Sequence, residues 1–228
     1  MVLKIAHRGL KSSGKENSLY AINQAIANNF DAVEIDIRKT KDNKIILFHN
    51  PYVFINNIKV YLDSVYHSLI SNQVQLLNDV LRNIKVNSIS IFFDIKKCKD
   101  DKYFLYNILN IIQVFINKGW DQNKFYFQSF YAPYIQIISH FDKIVSNYGI
   151  IYEGLPLNSY TDLYKLKCNY VCLNHESIDE KDIKDIQKNT TLQIFLYTIN
   201  DNKIYHIYKN LNIDGIITDT PTVFINSL

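Results

Sequence analysis

Within its first fifty residues the chain places His7-Arg8-Gly9, Glu34-Ile35-Asp36 and His49, each at or near the end of an apolar run. Imidazoles exchange protons near neutral pH. A guanidinium binds oxyanions, and paired carboxylates bind hard cations. Such a set could process a phosphate ester if the chain gathers it in one place. Asp94 and Lys96 close a later apolar run in the same way.

The elements that must do the gathering alternate along the chain. Strand-like runs cover Val2–Ala6, Ala32–Ile37, Ile89–Asp94, Lys124–Gln128, Ile144–Tyr148, Tyr170–Leu173, Gln193–Tyr197 and Ile213–Thr218. Most are continuously apolar, as parallel strands covered on both faces should be. Helix-like stretches lie between them, with apolar spacing clearest in Ser18–Asn29 and Tyr103–Asn117. Weaker ones cover Leu76–Ile84, Ala132–His140, Asp179–Lys188 and Asn202–Lys209. A ninth run, Lys44–Phe48, follows the turn-like Thr40-Lys41-Asp42-Asn43 and reads as an extra hairpin strand.

Eight strand–helix units in 228 residues predict a (β/α)₈ TIM barrel, with one extra hairpin strand after strand 2. Residues 1–228 read as one such domain, with no room for a large insertion between Asn50 and Gln75. An open doubly wound sheet is the other candidate, but no Gly-rich first loop accompanies it. In a barrel the C-terminal strand ends share one face. Glu34 and Asp36, two apart on a strand, point to the same side. His7, His49, Asp94 and Lys96 then join them.

Composition narrows the partners. Net charge is +3, and no dense basic stripe suggests nucleic acid. No apolar run is long enough to cross a membrane. The polar His7-Arg8 pair follows only six residues, so no signal peptide is expected. Three irregularly spaced cysteines, Cys98, Cys168 and Cys172, fit a cytoplasmic or other reducing intracellular compartment. Cys168 and Cys172 read as core thiols. His175 reads as an exposed loop histidine, and His67, His140 and His206 as surface residues.

The ordered series of motifs resembles the glycerophosphodiester phosphodiesterase family. It runs from Ile5-Ala6-His7-Arg8-Gly9 and Glu16-Asn17-Ser18 through Phe30 to Ile37, Thr40-Lys41-Asp42 and Phe48-His49-Asn50. It continues at Asp94-Ile95-Lys96, Gln128-Ser129-Phe130, Tyr197-Thr198-Ile199-Asn200 and Asp214 to Pro221. The resemblance implies a TIM barrel that hydrolyses small-molecule phosphodiesters to glycerol phosphate and an alcohol, with Mg²⁺ or Ca²⁺ as cofactor. It implies Glu34, Asp36 and Asp94 as cation ligands, and His7 and His49 as general acid and base. Arg8 and Lys96 would contact the phosphate, Tyr197 would line the substrate pocket, and Glu16 would support the site.

The chain also departs from the family pattern. Lys15 replaces a usual Pro, Ser18 a Thr, Asn50 an Asp beside the histidine, Asp94 a commoner Glu, and Tyr197 a Trp. Asp94 keeps a second reading open, a lysophospholipase D or sphingomyelinase-D-like enzyme acting on lysophospholipids. Asn50 keeps open a third, a barrel that binds metal and phosphate with little turnover. The division of acid and base between the two histidines stays open at this point.

Overall fold

The computed structural model describes residues 2–99, 101–155, 163 and 165–224. In chain order the strands are β1 (Leu3–Ala6), β2 (Ala32–Lys39), β3 (Ile45–Leu47), β4 (Tyr52–Ile55), β5 (Ile58–Tyr61), β6 (Gln75–Leu76), β7 (Ser90–Ile95), β8 (Phe125–Ser129), β9 (Asn147–Tyr152), β10 (Tyr170–Asn174), β11 (Gln193–Tyr197) and β12 (Gly215–Thr218). Eight of them, β1, β2 and β7 to β12, pair in parallel, and β12 returns to β1 to close the barrel. The expected TIM barrel is therefore present.

Each strand presents alternate residues to two different cores. On β2, Val33, Ile35 and Ile37 face outward and pack with Ile22 and Ala25 of helix α1 (Leu19–Ala27). Ala32 faces inward and joins Ile5, Phe92, Tyr170 and Phe195 in the barrel interior. The next two inward positions on β2 are Glu34 and Asp36. The interior is thus apolar at one end and acidic at the other. Ser18 begins α1 by accepting a hydrogen bond from the Ala21 amide, the usual device for an unpaired helix N–H.

β2 is long enough to serve two neighbours on one edge. Ala32 pairs beside Ile5 of β1, while Ile37 to Lys39 pair antiparallel with β3. β1 therefore leaves the sheet beside Glu34, and its following loop folds over the barrel mouth. The Gly9 amide donates to the Glu34 carbonyl at 2.8 Å, and the Phe48 amide to the Asp36 carbonyl at 3.0 Å. These bonds bring His7 and His49 to the acidic end of β2.

The expected extra strand is β3, and more follows it. β4 and β5 form a separate hairpin whose Asn56 and Asn57 both have positive φ. Val53 from this hairpin packs with Ile46, Leu62, Val65, Ile70 and Val74 in a small third core.

The fifth barrel strand is displaced from its expected place. It runs from Asn147 to Tyr152, whereas Ile144 and Val145 lie in the preceding turn. Gly149, one residue past the expected strand, is required inside the observed one. A methyl group there would lie 2.3 Å from the Tyr170 ring and 2.6 Å from its carbonyl oxygen. Tyr170 cannot yield easily, because it is fully buried and its hydroxyl donates to the Phe127 carbonyl at 3.0 Å. Gly149→Ala should therefore cost about 1–3 kcal/mol of stability through overpacking. Urea denaturation checks this, and an unchanged midpoint would contradict it.

Candidate active site

β1 ends at Ala6, and the next two residues carry chemistry. His7 Nδ1 lies 2.6 Å from Asp219 Oδ1, and its Nε2 lies 3.9 Å from Glu34 Oε2. Asp219 also accepts from the Asn200 amide at 2.9 Å and pairs with Lys11 at 3.3 Å. Burial alone would raise the Asp219 pKa. The hydrogen bonds from His7 and Asn200 outweigh it and hold the carboxyl well below the ordinary range.

Arg8 takes a left-handed backbone, with φ of 54°. That turn aims its N–H at Glu34 Oε2, 3.0 Å away, and its side chain across to Glu16 Oε1 at 2.9 Å and Asp36 Oδ2 at 3.5 Å. Gly9 follows at φ of 81°, where a Cβ would sit 2.6 Å from Ala21 Cβ. The Arg-Gly pair is thus fixed by the close approach of this turn to α1.

Glu34, Asp36 and Asp94 are 3, 1 and 5% exposed. They lie on adjacent strands, with Asp36 directly beside Asp94. One carboxylate oxygen from each can be chosen so that all three lie within 4.8 Å of one another. Lys96 bonds both Asp94 and Asp36, the latter at 2.8 Å. Asn17 clamps Asp36 twice: its amide donates to Oδ2 at 2.7 Å, and its oxygen accepts the Asp36 N–H at 2.9 Å.

The three acids respond differently to this crowding. Burial, reinforced by the charges of Asp36 and Asp94, pushes Glu34 well up. Burial also raises Asp94, to about 6 despite Lys96. At Asp36, burial is outweighed by Lys96 and by the Asn17 hydrogen bond, so its pKa falls. At Lys96, desolvation is outweighed by Asp94, Asp36 and Glu34, so its pKa rises and the ammonium persists.

His49 follows β3. Arg38 Nε donates to its carbonyl at 2.7 Å, and its Nδ1 lies 3.0 Å from Asn50 Oδ1. Burial lowers its pKa, against the opposing charge of Asp36. A cavity of about 210 Å³ at the mouth is lined by His7, Arg8, Glu34, Asp36, His49, Asp94, Lys96 and Tyr197, with Gln128, Phe130 and Glu153 among the others. A larger hollow, about 570 Å³, lies by Cys168 and Leu192, beside the opposite ends of β10 and β11, and among the described residues no histidine or carboxylate lines it.

Comparison with known proteins follows the same line. The profile of the Glycerophosphoryl diester phosphodiesterase family matches residues 7–223. This chain belongs to that family. YhdW of Bacillus subtilis (strain 168), provisionally named a glycerophosphodiester phosphodiesterase, is 24% identical over 97% of this chain and 96% of its own length. A phosphodiesterase from Oleispira antarctica, solved in complex with the product sn-glycerol-3-phosphate, superposes with a TM-score of 0.83 at 18% identity, over 96% of this chain and 93% of that one. A glycerophosphodiester phosphodiesterase from Thermotoga maritima gives 0.79 at 22%, over 98% and 97%. These two likenesses concern the fold.

In this family member every expected site residue reaches the mouth. Eight line the cavity, and Glu16 reaches it through Arg8 while remaining exposed. His175 is a correction: it is half-buried, with Nδ1 3.1 Å from the Tyr197 carbonyl. Asn17, Asp219 and Gln128 belong to the site although no role was assigned to them from sequence. Each sits inside a quoted motif, the one signal available. Arg38 and Glu153 carry no such signal.

The oxygen cluster fits a hard divalent cation. Among the described residues, four buried side-chain polar atoms lack a hydrogen-bond partner, and Asp94 Oδ1, Gln128 Oε1 and Arg8 Nε are three of them. All three residues line this cavity. Glu34, Asp36 and Asp94 offer oxygen alone, the donor type that suits Mg²⁺ or Ca²⁺.

The raised acids make the site a stability liability without a cation. A carboxyl whose folded pKa exceeds its unfolded value binds more protons when folded, so its contribution worsens as pH rises through that window. For Asp94 the window runs from the ordinary carboxylate range to about 6. Cation-free Glu34→Gln should therefore melt about 2–4 °C above wild type at pH 7.5, the shift of about 1 kcal/mol in a chain this size. The gain should vanish near pH 4.5. Millimolar Mg²⁺ or Ca²⁺ should raise the wild-type midpoint and leave the variant unmoved. Differential scanning calorimetry in EDTA and in cation reads both effects, and destabilisation of the variant at pH 7.5 in EDTA would refute the account.

Proposed function

We propose that the protein is a metal-dependent phosphodiesterase that hydrolyses glycerophosphodiesters to glycerol phosphate and an alcohol. The unpartnered, buried Asp94 Oδ1 carries this reading, set with Glu34 and Asp36 in a cavity that two histidines also line. Glu34, Asp36 and Asp94 would hold Mg²⁺ or Ca²⁺, which when bound polarises a phosphoryl oxygen. Arg8 and Lys96 supply fixed positive charge to the diester oxygens. Their charge counts most as negative charge shifts in the transition state, because the buried site cannot screen it.

The histidines move the protons. Asp219 accepts from His7 Nδ1, which leaves Nε2 on the Glu34 side. That contact fixes the ring with Nε2 turned into the cavity, and this reading assigns His7 as the acid that protonates the leaving alkoxide. His49 has only the neutral Asn50 at Nδ1 and a lowered pKa, so it is neutral at physiological pH and suited to accept the proton of the attacking oxygen. Removing either imidazole should cost roughly 10²–10⁴-fold in kcat.

A second reading, a lysophospholipid substrate, draws on the β4–β5 hairpin. It starts three residues after His49 and exposes Phe54, Ile58 and Tyr61, with Lys59 over the Tyr52 ring at 4.0 Å. Such residues beside the mouth could meet acyl chains.

Release of glycerol phosphate from glycerophosphocholine, assayed with Mg²⁺, Ca²⁺ and EDTA, tests the main reading. The expected result is activity that EDTA abolishes and that His7→Ala, His49→Ala and Glu34→Ala each reduce at least about 100-fold. Full activity of His7→Ala or Glu34→Ala would overturn the assignment. A clear preference for lysophosphatidylcholine, lost in Phe54→Ser, would favour the lipid reading instead.

A further inference from the structure

The cavity has two walls of opposite character. Going round the barrel, the groups assigned to phosphate, cation and proton transfer stand on β2 and β7 or directly after β1, β3 and β7. The far side is built by β9, β10 and β11, with Glu153 directly after β9 and Asn174 and Tyr197 ending β10 and β11. Asn174 Nδ2 donates to Glu153 Oε2 at 3.1 Å and fixes that carboxylate at the rim. Among the described residues, no Lys, Arg or His forms an ion pair with Glu153. The mechanism above gives it no task.

Aromatic rings flank it. The Tyr197 hydroxyl donates to the Tyr152 carbonyl at 3.0 Å and lies within reach of Glu153, which locks the ring at the cavity wall. Phe130 meets Tyr197 edge to face, with ring centroids 6.3 Å apart; Lys96 Nζ lies 5.5 Å from its centroid, and the side chain is still 46% exposed. A carboxylate beside aromatic rings complements a diffuse cation. The carboxylate supplies net charge, and the rings supply attraction without the strong hydration that a second anion would demand.

We infer that Glu153, Tyr197 and Phe130 form a subsite for a cationic amino-alcohol arm, so that the preferred substrates are diesters carrying choline or ethanolamine. The inference rests on the phosphodiesterase reading above. A diester whose phosphate lies against Arg8 and Lys96 must extend one arm toward the far wall. A positive charge on that arm gains Glu153, whereas a neutral polyol gains only hydrogen bonds.

Binding separates this inference from the catalytic reading. In a His49→Ala background with Mg²⁺, calorimetric titration compares glycerophosphocholine with glycerophosphoglycerol, whose second arm is neutral. Glycerophosphocholine should bind roughly tenfold more tightly, about what an exposed cation–π contact and an exposed ion pair supply together. Adding Glu153→Gln should remove the preference, and adding Glu153→Lys should reverse it. Glu153 is exposed, so neither change threatens the fold. Equal affinities with Glu153 present would overturn the subsite while leaving the phosphodiesterase reading intact. Tighter binding of glycerophosphoglycerol, lost in Glu153→Gln, would overturn it too, because the carboxylate would then be holding hydroxyls. Failure of both diesters to bind would refute the subsite and the phosphodiesterase reading together.

Discussion

Three carboxylates buried within 4.8 Å of one another repel by about 3.5 kcal/mol per pair at an effective dielectric of ~20. Lys96 offsets part of this by bonding Asp36 and Asp94 together. Arg8 approaches Asp36 but shares its charge with the exposed Glu16. Glu34 is left with one backbone N–H and a distant imidazole. The arrangement is electrically incomplete, and its raised acids are the physical sign of that. The divalent cation proposed for this site would complete it where protons otherwise must.

Holding such a cluster requires a scaffold that cannot relax. The barrel supplies one through its strand pairing, since Glu34 and Asp36 on β2 and Asp94 on β7 are set by a continuous parallel register from Ala32 to Ile37. Asn17 then removes the freedom of Asp36 by binding both its carboxylate and its backbone N–H. Asn17 does so from a left-handed backbone, which asparagine tolerates better than most residues. Beneath the acids the interior is filled by the buried side chains of Phe92, Tyr170 and Phe195. That filling requires Gly149, and also Gly215, where a Cβ would lie 2.8 Å from the Phe195 ring. The glycines thus act on the site at a distance, by letting large rings close the floor.

Much of this was legible in the sequence, and the reasons are specific. Two acids alternating within Ala32–Ile37 announce a strand whose inward face is polar, which burial permits only for a purpose. The strand ends then placed His7, His49, Asp94 and Lys96 on one rim. Roles that arise from tertiary pairing were not legible. Nothing in Thr218-Asp219-Thr220 says that Asp219 reaches back to His7, 212 residues away. Glu153 has no local pattern at all, because its meaning comes from facing Arg8 and Lys96 across the barrel. The fifth strand was misplaced since Gly149 breaks an apolar run locally while serving a ring on the next strand. The β4–β5 hairpin was readable in principle: Asn56-Asn57 between two apolar runs is a tight-turn signal.

The two histidines sit in unlike surroundings, and position 50 is part of the reason. Both use Nδ1 for a partner, but the partner of His7 is a carboxylate and that of His49 is an amide. The Asp219 carboxylate brings a negative charge to the His7 ring, whereas the Asn50 amide oxygen brings only a dipole to that of His49. Around His49 burial, with the cations Arg8 and Lys96, opposes protonation and outweighs the charge of Asp36 and the Asn50 hydrogen bond, which favour it. A carboxylate at position 50 would give both imidazoles an anionic partner. Asn50 keeps the two surroundings unlike. The departure that first reads as damage to the site is therefore also the asymmetry on which the proposed division into acid and base draws.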